Sequence, residues 1–254
     1  MDERAETEGG ILREIRASIF ITCLVDQIYP QVGEAMVTVL RQAGVALDFP
    51  AAQTCCGQPA FNSGFRRQAR ELAERFISIF DGDGYVVAPS GSCTSMVRVF
   101  YPELFKDDPQ TLDKARALSS RLYEFSEFLV KVVGVEDVGA SYHGAVTYHP
   151  SCHLLRELGV RSEPVELLKK VRGIELRELK DQEQCCGFGG TFSVKYPEIS
   201  GAILQDKLDN IRESGALVLV SNDSGCLMHI AGGLTRQGLP VRAMHLAELL
   251  AQRE

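Results

Sequence analysis

The sequence predicts an α/β protein built from two doubly wound, Rossmann-like halves with mainly parallel sheets, related by a pseudo-twofold axis. Two observations lead to this prediction. Short β-branched apolar segments alternate with helical patterns, which is typical of parallel strands covered by helices. The order of these segments then repeats in the second half of the chain. We therefore expect a frayed, charged terminus at 1–16 and two domains, at 17–139 and at 140–254.

The first half contains three predicted strands, each followed by helical residues. Pro30 begins a helix and Gly44 ends it, because proline suits the first helical turn and glycine the position after the last. Ser63 is a suitable N-cap for the next helix. In order, we expect a strand at 17–22, a helix at 30–43, a strand at 45–49, a helix from 63 to 80, a strand at 85–88 and a helix-rich segment at 94–133.

The second half repeats this order of elements. Ser162 is placed to cap a helix that has Pro164 in its first turn. A later helix has an apolar stripe formed by Ile199, Ile203, Leu204 and Leu208. In order, we expect a strand at 145–148, a helix at 163–172, an extended segment at 173–177, a helix at 197–214 and a strand at 216–220.

All eight cysteines fall into two sets with matching spacing. Each set contains an adjacent pair followed by glycine, with 31 or 32 residues between it and the preceding cysteine and 36 or 39 before the next. Every cysteine follows a strand or lies in the loop that a strand feeds, where α/β sheets place their ligands. We therefore expect each set to converge on one rim: Cys23, Cys55, Cys56 and Cys93 with Gly57, and Cys152, Cys185, Cys186 and Cys226 with Gly187.

Composition and charge narrow the class of protein. A net charge of −7 argues against a nucleic-acid or anionic-membrane surface as the main partner. The N-terminus is acidic, where a secretory signal would be basic, and no apolar run approaches transmembrane length. These features predict a cytoplasmic protein. In that reducing compartment, the cysteines are better candidates for metal ligands or redox thiols than for disulfides.

Three functions of the cysteines agree with the spacing. Thiolates in irregular loops suit an iron–sulfur cluster, and Gly57 and Gly187 would let backbone N–H groups approach the cluster sulfurs. Four thiolates also satisfy a tetrahedral structural zinc ion, although the usual short Cys-x(2–4)-Cys spacing is absent. The third alternative is thiol–disulfide exchange. The sequence favours the iron–sulfur cluster, and the zinc-stabilised module and the redox thiols remain as alternatives.

The duplicated Cys…Cys-Cys-Gly…Cys unit resembles the cysteine-rich CCG domain family, which includes proteins of heterodisulfide reductase and the iron–sulfur protein of glycolate oxidase. The resemblance covers about residues 17–252. The free-standing form with two copies is similar to the members that act in lactate utilisation. This resemblance implies a bacterial cytoplasmic redox subunit that holds iron–sulfur clusters of the 4Fe–4S type. It also implies two partners for the oxidation of L-lactate to pyruvate: an iron–sulfur protein with ferredoxin motifs and a third small subunit.

The sequence departs from the family pattern at one position in each unit. The fuller pattern ends each unit in Cys-x-x-Cys, but here the final position is Met96 in the first unit and His229 in the second. A thioether is a weak ligand, whereas imidazole holds iron in Rieske-type centres. We therefore expect the second site, with His229 as a candidate ligand, to bind its cluster more firmly. The pattern leaves open whether the first site binds a labile cluster, zinc or no metal.

No residue is assigned a catalytic role. The sequence contains no recognisable Ser-His-Asp arrangement, carboxylate pair or Walker-type loop. A redox subunit without a complete active site of its own agrees with this pattern. Two further histidines, His149 and His153, flank Cys152; they could orient ligands or carry protons, although histidines in such loops are more often structural.

Overall fold

Eight strands form two separate four-stranded sheets in the structure, a computed structural model that describes residues 14–253. Residues 1–13 of the terminus expected to be frayed lie outside the described residues, and the first strand begins at Arg16. The strands are β1 (Arg16–Ile19), β2 (Ala46–Asp48), β3 (Tyr85–Ala88), β4 (Leu122–Glu124), β5 (Ser141–His149), β6 (Arg172–Arg177), β7 (Val218–Ser221) and β8 (Arg242–His245).

The two sheets have the same topology. The strand order is β2-β1-β3-β4 in the first sheet and β6-β5-β7-β8 in the second, and all neighbouring strands are parallel. The predicted fold class of two doubly wound halves is thus confirmed. The sequence prediction lacked β4 and β8, which are short edge strands of three and four residues. The proposed domain bounds of 17–139 and 140–254 stay a prediction.

Helices connect the strands and cover both sheets. They are α1 (Cys23–Ile28), α2 (Pro30–Gln42), α3 (Gln58–Asn62), α4 (Arg66–Ile79), α5 (Gly91–Ser95), α6 (Tyr101–Leu104), α7 (Pro109–Ser119), α8 (Phe125–Glu127), α9 (Glu163–Lys170), α10 (Phe192–Lys195), α11 (Pro197–Ser214), α12 (Ser224–Arg236) and α13 (Leu246–Leu250). Three further turns are π-helical: Met96–Phe100, Phe128–Val133 and His153–Glu157. The first and third directly follow cysteine-bearing segments, and π-helical turns are frequent at functional sites.

The structure corrects three local predictions. Ser63 does not cap a helix through residue 80; it ends α3, a separate short helix that Pro59 favours in its first turn, and α4 begins after Phe65. Ser162 precedes α9 but its side chain makes no capping hydrogen bond. Ile199 is 55% exposed and so does not belong to the buried stripe of α11.

One hydrophobic core lies between the two sheets, and each sheet has a second core on its outer face. The central core contains buried residues of α2, α9 and α13 together with strand residues from both halves, such as Ile19 and Val146. The outer core of the first half includes Phe20, Phe76 and Cys56. The outer core of the second half includes Cys186 and Cys226. Both cysteine sets therefore border cores that exclude water.

None of the helices within residues 14–253 combines the length and the apolar character that crossing a bilayer requires.

Candidate metal centres

The cysteines lie at the carboxyl ends of the strands in both halves. Cys23 begins α1 soon after β1, and Cys93 lies in α5 after β3. These two strands are neighbours at which the strand order reverses, the position where doubly wound sheets bind ligands. The pair Cys55 and Cys56 comes from the loop after β2. The second half repeats this placement with Cys152 after β5, the pair after β6 and Cys226 after β7.

Within each half the four thiol groups contact one another in sequence. The Sγ atoms of Cys23 and Cys55 are 3.8 Å apart, and those of Cys186 and Cys226 are 3.1 Å apart. All eight cysteines are free. The thiol contacts run in the order Cys23, Cys55, Cys56 and Cys93 in the first half, and Cys152, Cys185, Cys186 and Cys226 in the second. The convergence expected from the sequence is present in both halves.

The first cysteine of each adjacent pair is favoured as a thiolate. Hydrogen bonds from neighbouring thiols, and then from the glycine N–H, lower the pKa of Cys55 to about 3 and that of Cys185 to about 2. Hydrogen bonding to these thiolates, together with burial, raises the pKa of four neighbours: Cys23, Cys56, Cys152 and Cys186. Metal ligation requires the other thiols of each set to ionise as well. This additional negative charge is unfavourable unless a cation balances it.

Gly57 and Gly187 have a structural role that only glycine fulfils. Both have positive φ angles, of 84° and 90°, and each donates its N–H to the Sγ of the first cysteine of the pair, at 3.5 and 3.3 Å. A Cβ on Gly187 would lie 2.6 Å from the Ser200 carbonyl oxygen, and one on Gly57 would lie 3.3 Å from Leu72. The glycines therefore let the cysteine loops lie directly on α11 and α4.

A single carboxylate, that of Asp223, connects the two sites. Its Oδ1 accepts hydrogen bonds from the N–H groups of Gly225 and Cys226 at the start of α12. Its Oδ2 accepts from the Ser90 hydroxyl and the Ser92 N–H, each at 3.0 Å, at the start of α5 in the other half. Asp223 and Ser90 each precede a cysteine by three residues. Contact between such equivalent residues is expected at a pseudo-twofold axis.

The side chains beneath the two sites differ in chemistry. Phe20 lies three residues before Cys23, and His149 lies three residues before Cys152. Gly57 lies against Ala69 of α4, and Gly187 lies against Ser200 of α11, so these two helix positions are equivalent. Phe76 and Lys207 each lie seven residues further along and are therefore equivalent as well. In the first half, the rings of Phe20 and Phe76 pack at 4.7 Å. In the second half, the charge of Lys207 acts on His149, so a basic pair replaces an aromatic one.

Lys207 is fully buried next to the second cysteine set. Its Nζ donates to the carbonyl oxygens of Asp181 and Gln182, at 3.0 and 3.3 Å. Burial lowers its pKa to about 8, although the thiol groups of the second site oppose this shift. Lys207 was not among the residues predicted from the sequence. The available signal is a lysine within the apolar stripe of α11, between Leu204 and Leu208.

His149 and His153, which flank Cys152, lie in different surroundings. His149 is 1% exposed, and one of its ring nitrogens forms a compact group with the Sγ atoms of Cys186 and Cys226, all within 4.8 Å of one another. Burial lowers its pKa to about 3. His153 places Nδ1 3.6 Å from the Cys152 Sγ and Nε2 3.5 Å from Gln58 of the first half.

Met96 and His229, which stand at the final cysteine position of the family pattern, lie close to their sites. His229 is partly buried, its Nε2 lies 3.2 Å from the Ser200 hydroxyl, and its ring centroid lies 5.8 Å from that of Phe188. The compact group described for His149 does not include it. Met96 is fully buried in the outer core of the first half. The assignment of His229 as a ligand stays a prediction.

Known proteins with a cysteine-rich domain are similar to this chain in sequence. The CCG cysteine-rich domain family matches the chain twice, at residues 17–98 and 146–231. Lactate utilization protein A of Bacillus subtilis (strain 168) is 49% identical over 239 residues, which cover 94% of this chain and 100% of that protein. The protein of the same name from Geobacillus kaustophilus (strain HTA426) is 48% identical over the same shares of both chains.

The similarity of this chain to solved structures is low. An aspartate racemase homologue from Pyrococcus horikoshii OT3 covers 93% of this chain and 95% of its own, with a TM-score of 0.35 and 10% identity. This similarity says nothing about function.

The fold and the site together define a class of α/β protein in which each of two equivalent halves gathers four thiol groups at the carboxyl ends of its parallel strands. The chain belongs to the CCG cysteine-rich domain family, in the branch that contains lactate utilization protein A. The resemblance noted in the sequence is thus confirmed.

Proposed function

We propose that the chain is an iron–sulfur electron-transfer subunit of a cytoplasmic complex that oxidises L-lactate to pyruvate. The observation that carries this proposal is the pair of equivalent four-thiol groups where doubly wound sheets bind ligands. The link to lactate comes from the relatives, which are named lactate utilization protein A and match this chain over 94% of its length.

The residues at both sites fit an iron–sulfur cluster. The ligands would be Cys23, Cys55, Cys56 and Cys93 in the first half, and Cys152, Cys185, Cys186 and Cys226 in the second. Thiolates are the usual ligands of such clusters, and N–H···S bonds like those of Gly57 and Gly187 tune their potentials. Clusters of the 4Fe–4S type would supply one-electron transfer.

The chain itself would hold the ligands in place and limit the access of water. The Tyr101 hydroxyl donates to the Cys56 carbonyl oxygen at 2.9 Å, which fixes the first adjacent pair from within the outer core. Cys56, Cys186 and Cys226 are buried, with 1%, 2% and 7% of their surface exposed. Cys23 and Cys55 are only partly buried, so one edge of the first site remains open to a partner.

The partners in this proposal are an iron–sulfur protein with ferredoxin motifs and a third small subunit. A surface for such a contact is available beside both sites, because large apolar side chains are exposed just after the cysteine pairs. These side chains are Phe65, Val194, Tyr196 and Ile199, each at least 55% exposed. A hydrogen bond from the Ser63 hydroxyl to that of Thr191, at 3.3 Å, joins the two segments that carry them.

Iron, acid-labile sulfide and the visible spectrum of anaerobically purified protein test the proposal directly. We expect iron and sulfide in near-equal amounts, with a brown colour that a reductant bleaches. Zinc without sulfide would contradict electron transfer and leave a structural role.

Two matched variants connect the clusters to the lactate reaction. Cys55→Ser and Cys185→Ser should each remove the cluster of one half and keep that of the other, because the two thiol groups are separate. Cys185→Ser should also abolish the lactate-dependent activity of the assembled complex. Full lactate-dependent activity in the Cys185→Ser variant would contradict the proposal.

A zinc-stabilised module is the second candidate, and one observation favours it. His149, Cys186 and Cys226 bring nitrogen and sulfur donors to within 4.8 Å of one another, a combination that structural zinc sites use. Such a protein would be colourless, and its cysteines would affect stability but not electron transfer. The first half contains no group of this kind among the described residues.

A further inference from the structure

His149 has the surroundings of a metal ligand before any metal is considered. It ends β5, three residues before Cys152, and it is 1% exposed. Within the described residues, neither of its ring nitrogens has a hydrogen-bond partner. Buried polar side chains are rarely left without a partner, so an orphaned imidazole in a fixed position indicates a missing ligand.

One side of the ring faces thiol groups of the second cysteine set. A ring nitrogen of His149 and the Sγ atoms of Cys186 and Cys226 all lie within 4.8 Å of one another, and the charge of Cys185 also acts on the ring. One cation placed among these atoms would satisfy the nitrogen lone pair and the crowded thiols together.

A backbone carbonyl also lies close to the ring. The Gln182 carbonyl acts on His149, although no hydrogen bond to it is formed in the present geometry. The same oxygen accepts a hydrogen bond from Lys207 Nζ at 3.3 Å, which holds it in place. Metal-binding histidines usually turn one nitrogen to the metal and the other towards such an acceptor.

The first half has no counterpart to this nitrogen. At the equivalent position it carries Phe20, whose ring is fully buried and packs on Phe76 and Phe80. His229, the candidate from the sequence, already has the Ser200 hydroxyl 3.2 Å from its Nε2. The two sites are therefore alike in their sulfur ligands and unlike in the residue beneath them.

We propose that His149 is a nitrogen ligand of the metal centre in the second half, which makes that site a mixed sulfur and nitrogen site beside an all-sulfur first site. The identification of the metal as an iron–sulfur cluster rests on the proposed function, but the position of the ligand does not.

The test is pulsed EPR spectroscopy on anaerobically purified protein labelled with ¹⁵N-histidine, with the iron–sulfur centres in a paramagnetic state. We expect a ¹⁵N coupling typical of direct ligation in the wild-type protein. His149→Phe, which copies Phe20, should lose this coupling, and His229→Phe should retain it. If His149→Phe does not fold, a wild-type spectrum without the coupling still overturns the proposal, and a coupling retained in both His229→Phe and His153→Phe supports it.

The outcomes separate this inference from the proposed function. Iron–sulfur centres without a ligating nitrogen, or a coupling lost only in His229→Phe, would overturn the role of His149 and leave electron transfer intact. If the protein binds zinc without sulfide, the proposed function fails, and X-ray absorption at the zinc edge then tests the ligand. A nitrogen neighbour lost in His149→Phe would support it, whereas sulfur neighbours alone, or no bound metal, would overturn it.

Discussion

Asp223 is the residue on which the relative position of the two sites depends most directly. It is buried, and its two oxygens accept four hydrogen bonds, two from each half. Three of the four donors are backbone N–H groups at the starts of α5 and α12, the helices that carry Cys93 and Cys226. A carboxylate is needed because every one of these partners is a donor, and only an ionised carboxylate accepts on both atoms.

Asp223→Asn should reduce the free energy of unfolding by about 2–3 kcal/mol, since an amide NH₂ would replace one acceptor oxygen opposite buried donors. The control is Asp209→Asn, which removes an exposed ion pair with Arg212 and should cost less than about 1 kcal/mol. Urea unfolding of both variants gives the comparison. Equal effects at the two positions would show that the link through Asp223 contributes little.

His245 makes the stability of the protein sensitive to acid. It is fully buried, its Nδ1 accepts from the Ala247 N–H at 3.1 Å, and its Nε2 donates to the Pro89 carbonyl oxygen at 3.0 Å. The neutral ring makes both contacts, whereas protonation of Nδ1 removes the acceptor for the Ala247 N–H. Burial lowers its pKa from 6.5 to about 4. The unfolded chain therefore binds more protons between these values, and stability is lost as the pH falls through this window.

We expect the wild-type protein to lose about 3 kcal/mol of stability relative to His245→Asn between pH 6.5 and pH 4, since the variant cannot bind this proton. Urea unfolding at several pH values measures the difference. His143→Asn, at an exposed strand position, is the matched control. A difference between wild type and His245→Asn that does not change with pH would contradict this account.

At the scale of elements, α4 and α11 occupy equivalent positions but carry different side chains towards the two cysteine sets. Phe76 on α4 belongs to an aromatic cluster with Phe20 and Phe80. Lys207 on α11 brings a buried cation near the thiols of the second set. A nearby positive charge stabilises the reduced, more negative form of a cluster. The two centres should therefore have different potentials, with the second one higher.

Lys207→Met should shift the reduction potential of the second centre to more negative values, by up to the order of 100 mV, because a unit charge near a buried site contributes about 2–4 kcal/mol. A redox titration followed by EPR measures the shift. The control is Lys180→Met, which removes an exposed lysine paired with Glu213. If both variants keep the wild-type potential, the buried cation has no part in tuning the centre.

At the scale of the whole molecule, the halves form one body through the shared central core and through close contact between the sites. Gly91 begins α5 and packs against the π-helical turn His153–Glu157 of the other half. A Cβ at Gly91 would lie 2.7 Å from the Leu154 Cβ and 3.1 Å from its backbone nitrogen. Since these atoms cannot rotate away, any side chain at position 91 would separate the halves.

Gly91→Ala should destabilise the protein by about 1–3 kcal/mol, as expected for overpacking against fixed atoms. Gly232→Ala in α12 is the control, because a Cβ there meets open space and should stabilise the helix by up to about 1 kcal/mol. Thermal unfolding gives both values. If Gly91→Ala is as stable as Gly232→Ala, the contact between the halves is looser than the structure describes.

Most of the fold could be predicted from the sequence because its signals are local. β-Branched apolar runs, Pro30 and the duplicated cysteine spacing each act within a short stretch of chain, and together they indicated the two parallel sheets and the convergence of each cysteine set. The edge strands β4 and β8 were missed because their residues, Leu-Tyr-Glu and Arg-Ala-Met-His, contain none of the β-branched side chains that marked the predicted strands. Ser63 was misassigned as an N-cap because Pro59 favours a separate short helix, α3, which ends at Ser63.

The sequence by itself determined the class of protein, the eight thiol groups and the duplication. Only the tertiary structure decided how the two sites differ and how they are joined. Asp223 contacts Ser90 across more than a hundred residues, and His149 meets Cys186 and Cys226 from another strand. These contacts arise where the chain folds back on itself, and spacing along the sequence does not encode the distances between atoms that converge from separate strands.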